Sequence, residues 1–153
     1  MRREWWIYLL ILVFSSVSDA VRTQGEVVNM VPLQKSLRIV PGASGRLFAL
    51  MHLKNVADFT VYVLKTPPSI FIDSEGEEIN EIGRSEKRRP YTIKDYTALP
   101  PDGQVDFRVD LTDLYAWKPG RHPYEASITG NYADPVDGRQ WNGPRIIAKF
   151  DWR

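Results

Sequence analysis

The strongest constraint on what this chain can fold into is the period at which its apolar residues recur. In QVDFRVDL, Val105, Phe107, Val109 and Leu111 take alternate positions, with Asp106, Arg108 and Asp110 between them. In YEASIT, Tyr124, Ala126 and Ile128 alternate with Glu125, Ser127 and Thr129. In RIIAKFDW, Ile146, Ala148, Phe150 and Trp152 share one face, with Arg145, Lys149 and Asp151 opposite. A period of two is the signature of an extended strand with one face on a core and one in water; a helix would repeat at three and four. Further strands are expected at 26–31, 35–40, 46–55 and 59–65, and a shorter one at 69–73, closed by the turn SEGEE. Turn signals (PGASG, PDG, KPG, DPVDG) punctuate these runs at short intervals, the spacing of an antiparallel sandwich. The expected fold is all-β, an antiparallel Ig-like β-sandwich. One segment departs from the pattern. In LTDLYAW, Leu111, Leu114 and Tyr115 stand at i, i+3 and i+4, with Thr112 or Asp110 able to cap. This predicts one short helical turn between late strands, ended by Pro119-Gly120.

The first 20 residues obey a different rule. Arg2 and Arg3 precede the apolar run WWIYLLILVF, and SSVSDA then brings Ser18 and Ala20 to the small-residue positions of a signal-peptidase site. The run is about half the ~20 residues needed to span a bilayer. The reading is a signal peptide at 1–20 and a single domain at 21–153, secreted or periplasmic and free of the membrane after cleavage. The chain carries 20 Lys+Arg and 19 Asp+Glu, and the signal's Arg2 and Arg3 are offset by Glu4 and Asp19. The mature chain is therefore near neutral, which argues against nucleic acid as a partner, because a grip on phosphates needs a cationic excess. There is no cysteine. That excludes a disulfide-stapled miniprotein, a lipoprotein anchor and a thiolate metal site.

Motifs for chemistry are few. His52 and His122 lie far apart, one in an expected strand and one in a Gly-Pro turn, unlike the closely spaced pair of a catalytic zinc site. No GxSxG nucleophile elbow occurs. GASG at 42–45 lacks the Lys-Ser/Thr of a phosphate loop and reads as a tight turn. DSEGEE at 73–78 lacks the ordered ligand alternation of a calcium loop and reads as a hairpin turn. Asn131, Asp134 and Asp137 in NYADPVDG read as a strand connection. No catalytic residue, metal or cofactor is expected. Aromatic rings on a sheet face can stack on sugars, but alternation puts Tyr124 and Trp152 on core-facing rows. The stretch IGRSEKRRPYTIKDYTALPP at 82–101 is the one concentrated charge. It reads first as a long connection, with Asp95 available to pair with a nearby arginine, and second as a surface that steers an acidic partner. The candidate partner-binding residues are Arg84, Lys87, Arg88, Arg89 and Tyr91.

From Glu81 to Tyr132 the order of motifs resembles the non-catalytic N-terminal β-sandwich domain that precedes the catalytic domain of deuterolysin-like, lysine-specific zinc metalloendopeptidases, the aspzincins. The matching positions are Ile82, Gly83, Arg84, Lys87, Arg88, Pro90, Asp95, Tyr96, Leu99, Pro101, Gly103, Asp110, Leu111, Tyr115, Gly120 and Tyr124. LFALMHLKNVADFTVYVLKTPP, upstream, resembles that domain's opening strands. PPDG is looser than the usual Pro-Gly turn, GRHPY lengthens the following step, and no HExxH motif is present. The resemblance implies a fold and a docking role, without proteolysis. The function expected is an exported non-enzymatic module that binds a protein partner, as an accessory or inhibitory domain for a secreted metalloprotease. The alternative is a small ligand-binding or hydrolytic enzyme on the same scaffold, with dispersed carboxylates.

Overall fold

The structure, a computed structural model, describes residues 31–83 and 89–153. The strand expected at 26–31 and the candidates Arg84, Lys87 and Arg88 lie outside the described residues, except for Val31. Within them the fold is all-β. In chain order the strands are β1 (Leu33–Pro41), β2 (Leu47–Asn55), β3 (Val61–Leu64), β4 (Phe71–Ser74), β5 (Glu77–Ile79), β6 (Tyr96–Leu99), β7 (Gln104–Asp110), β8 (His122–Ile128), β9 (Tyr132–Ala133), β10 (Gln140–Trp141) and β11 (Ile146–Trp152). Every pairing is antiparallel, in sheets ordered β1-β2-β7, β11-β8-β4-β5, β3-β6 and β10-β9.

Alternation along the strands becomes rows of apolar side chains across them. In the first sheet, Met51 stands opposite Leu37 on β1 and Phe107 on β7. In the second, Ala126 stands opposite Ile72 on β4 and Ala148 on β11, and Ile72 opposite Ile79 on β5. Leu37, Met51, Ile72, Ile79 and Ala126 belong to one buried cluster, so both sheets contribute to the same core. A second cluster, Leu33, Leu53, Val61, Val63, Leu99 and Tyr132, lies under β3 and β6. Phe107 packs against both clusters.

The break between β3 and β4 shapes everything that follows. Pro67 and Pro68 lie between these strands and carry no backbone N–H, so ladder pairing cannot run through them. The chain pairs with β6 before the prolines and with β8 after them. The SEGEE segment folds as expected, into a two-residue hairpin loop in which Glu75 (φ 55°) and Gly76 (φ 83°) take the left-handed region.

Three local expectations are corrected. Leu111–Trp117 holds no helix. Leu114 N–H closes a single turn on the Leu111 carbonyl at 3.2 Å, but Ala116 N–H goes to Asn80 instead of back to Thr112. The Thr112 carbonyl accepts from Trp117 Nε1 at 3.0 Å, and Tyr115 buries its ring and donates from Oη to Ile70 at 2.8 Å. Tertiary hydrogen bonds outcompete the local ones. Short 3-10 turns occur instead at Ala43–Gly45 and Ile93–Asp95. His122 opens β8 instead of lying in the preceding turn. Finally, Tyr96–Leu99, inside the stretch read as a loop, pairs as β6.

The register has a direct test, since a slip of one residue exchanges the two faces of a strand. Phe107→Asp would bring a charge against both clusters and is expected to lower stability by several kcal/mol. Ile147→Asp, at a position 48 % exposed on β11, is expected to shift it by less than about 0.5 kcal/mol. Denaturant unfolding of the two variants checks this; equal losses would show the assigned faces to be wrong.

Candidate functional site

Of the five residues singled out in the sequence, the structure describes two. Arg89 is committed to its own loop. Its Nη1 donates to Asp95 Oδ2 at 2.9 Å and its Nη2 to Oδ1 at 2.7 Å, a bidentate pair. Asp95 Oδ2 also accepts from Thr92 N–H at 2.7 Å and Thr92 Oγ1 at 3.1 Å. The Arg89 hydrogen bond, followed by that of the Thr92 amide, holds the Asp95 carboxyl far below the usual carboxylate range. Tyr91, 47 % exposed, sets its ring edge-on to Tyr96 with centroids 6.4 Å apart.

Two cations not identified from the sequence join them. Lys65 follows β3, and its backbone N–H donates to the Asp95 carbonyl at 2.9 Å, while its Nζ donates to the Lys94 carbonyl at 2.9 Å. Lys65, Thr66, Arg89, Tyr91, Lys94 and Asp95 line a shallow hollow of about 320 Å³. Three cations face one carboxylate on this ledge.

Beside the ledge opens a larger, more apolar cleft of about 440 Å³. Thr66 lines both hollows, and Tyr96, in ring contact with Tyr91, lines the cleft. Leu33, Leu53, Val63, Leu64, Phe71 and Phe107 supply its apolar walls. The cleft lies where the proline break parts β3 from β4, and its far wall is the segment after β8 that carries Thr129 and Asn131. Gly130 fixes that segment, since a Cβ there would collide with the Pro144 carbonyl oxygen.

Lys35 is the unusual group in this cleft. It alternates with buried Leu33 and Leu37 and stands opposite buried Leu53, so it occupies a core-facing position of β1. Its half-buried side chain donates from Nζ to the carbonyls of Thr129 at 3.0 Å and Asn131 at 2.6 Å. Burial pushes its pKa below the ordinary lysine value. Across the cleft, Tyr132 Oη accepts the Tyr62 N–H at 2.9 Å, and burial pushes the phenol pKa up. The signal for Lys35 was present in the sequence: LQKSL places a lysine where the alternation calls for an apolar residue.

His52, His122, Asp134 and Asp137 have structural partners. His52 Nδ1 lies 2.8 Å from Asp106 Oδ1, and His122 Nε2 lies 2.9 Å from the Pro119 carbonyl. Asp134 Oδ1 accepts the amides of Val136 and Asp137, and Asp137 pairs with Arg139. NYADPVDG, read as a strand connection, thus contains β9 at Tyr132–Ala133, and its part from Asp134 onward leads to β10. Tyr124 is buried and stacks on Phe150 at 5.5 Å, and Trp152 packs at the margin of the same core, as the alternation required. Among the described residues no group of three or more His, Asp or Glu is placed to hold a metal ion. The chain matches no protein-family model and no curated protein.

The lowered pKa of Lys35 has a thermodynamic consequence. Between its folded value and the ordinary value of about 10.4, the unfolded chain binds more protons than the folded one, so stability contributed by this group rises with pH. The stability of the wild type minus that of Lys35→Met, measured by denaturant unfolding from pH 7 to 10.5, is expected to climb with pH. A flat difference would mean that Lys35 is not desolvated.

Proposed function

We propose that this chain is an exported, non-enzymatic domain that binds a protein partner through the basic ledge and the adjoining cleft. What carries the reading is the juxtaposition itself. An apolar cleft opens directly beside a ledge where Lys65, Lys94 and Arg89 outnumber Asp95. Binding energy concentrates in desolvated apolar pockets, while surrounding charges set encounter rate and orientation. Arg89, fixed by Asp95, holds the loop that presents Tyr91, and the exposed tyrosine supplies a rigid contact at the border of the two.

The Ig-like sandwich is the architecture we assign, supported by the core that the two larger sheets share. The likeness to the aspzincin N-terminal domain supplies the partner class: a secreted zinc metalloprotease, for which this domain acts as an accessory or inhibitor. A second reading, a small-ligand site, draws on the size of the cleft, which falls within the ~300–1,000 Å³ of small-molecule pockets.

The ledge is tested by reversing its charge. The double variant Lys65→Glu, Lys94→Glu is expected to keep its melting temperature, because exposed substitutions shift stability little. With a deuterolysin-type catalytic domain immobilised, wild type should associate fastest at low salt, and the variant at least about tenfold more slowly. Association that ignores both salt and the substitutions would remove the ledge from the interface. Absence of association would remove this class of protease as the partner.

A further inference from the structure

Three features of the cleft, taken among the described residues, point to a ligand. The first is a strand edge. Among the described residues β3 pairs with β6 alone, through Val61 opposite Leu99 and Val63 opposite Thr97. Tyr62 N–H turns away from β6 to Tyr132 Oη. Antiparallel geometry alternates these directions, so the N–H and C=O of Leu64 face the same way as those of Tyr62. Tyr62 and Leu64 both line the cleft. An unpaired edge of this kind is a template for another extended chain.

The second feature is a cation without an anion. Lys35 Nζ has three N–H donors, and the carbonyls of Thr129 and Asn131 take two. Carbonyl dipoles orient the ammonium but leave its charge uncompensated, and no carboxylate among the described residues forms an ion pair with it. The third is the apolar surface immediately around that charge. Leu33 lies two residues along the same face of β1, and Leu53 lies directly opposite.

These features specify a ligand in which an anion and an apolar group sit side by side at the end of an extended chain. In a polypeptide that combination occurs at the carboxyl terminus, where the α-carboxylate and the last side chain share one Cα. An internal aspartate or glutamate instead places its charge at the end of the side chain, where the apolar group is needed. We propose that the cleft captures the carboxyl-terminal end of an extended polypeptide with an apolar last residue. Its main chain pairs along the β3 edge with the N–H and C=O of Leu64 and the C=O of Tyr62, whose N–H is held by Tyr132 Oη. Its carboxylate binds Lys35, and its last side chain enters among Leu33, Leu53 and Phe107. Strand addition to a sheet edge and capture of a terminal carboxylate are both established modes of peptide recognition. This rests on the protein-binding reading and names the part of the partner that is held.

The test is a calorimetric titration of the full chain with three probes. One is an acetylated hexapeptide of alternating threonine and valine, ending in valine with a free carboxylate. The second is the same peptide ending in a carboxamide, and the third is decanoate. The acid peptide is expected to bind at least about tenfold more tightly than the amide, a margin in keeping with one charge-assisted hydrogen-bonded pair. In Lys35→Met, with folding verified by circular dichroism, the acid should fall to the affinity of the amide. Decanoate, which has no main chain to pair with β3, should bind more weakly than the acid peptide. Equal binding of acid and amide by the unaltered protein, or no binding of either at millimolar concentration, would overturn the proposal. Decanoate binding as tightly as the acid peptide would overturn it in favour of a small amphipathic carboxylate. The variant Lys65→Glu, Lys94→Glu should retain the acid-to-amide ratio. A retained ratio with no association of the unaltered protein with the protease domain would count against the protease reading and leave the cleft assignment standing.

Discussion

The contact on which the rest of this structure depends is that of the Phe107 ring with both halves of the core. Phe107 stands opposite Met51 in the β2–β7 pairing, packs against the cluster shared by the two larger sheets and against the cluster under β3 and β6, and lines the cleft. Because its register is fixed by seven paired positions along β2, the ring cannot move without disturbing the apolar rows on either side. The cleft is the space left beside that ring where β3 departs from β4. The proline pair at 67–68 therefore does more than end a strand. It keeps β3 and β4 from running on as one strand, and one edge of β3 has no strand partner among the described residues, beside a wall of core-type side chains.

The two charged sites differ in kind. Arg89 and Asp95 lie on the surface, where ion pairs contribute little to stability and salt screens them. Their role is geometric: with Thr92 they fold the loop that carries Tyr91 and sets Lys94 beside Lys65. Lys35 is half-buried among leucines and held by neutral carbonyls, so its charge is both less hydrated and uncompensated. Such an arrangement costs free energy in the folded protein and lowers the cost of bringing in an anion. The ledge suits long-range steering and the cleft suits short-range discrimination.

Much of the fold was legible in the sequence because one face of each long strand is buried, and burial writes a period of two into the residues. β2, β7 and β11 follow that rule along their length, and β8 follows it as far as Ala126, beyond which Ser127, expected on the water face, is buried as well. β9 and β10, at two residues each, are too short to carry a period, and β6 is hidden in a stretch whose prolines and charges read as loop. The helical turn expected at Leu111–Trp117 failed because Tyr115 and Trp117 make their hydrogen bonds to distant or out-of-register carbonyls, which no local spacing encodes. The acidic segments were legible as turns, since proline and glycine mark them. The candidate site was less so. The density of basic residues drew attention to the loop after Gly83, yet the described member closest to that run, Arg89, serves the loop itself. Lys65 and Lys94 are isolated in sequence and meet only because β3 pairs with β6. Lys35 was marked in the sequence by breaking an alternation, but what it meets across the cleft follows only from the folded register.

The central claim is that Lys35 is a desolvated ammonium awaiting an anion. It is tested most directly by following the Lys35 side-chain resonances through a pH titration by NMR, in the free protein and with the carboxylate-ended peptide bound. The account predicts a pKa below the ordinary lysine value in the free protein and a rise when the peptide binds, because the carboxylate stabilises the charged form. A free-protein value at or above the ordinary one, unmoved by the peptide, would contradict it.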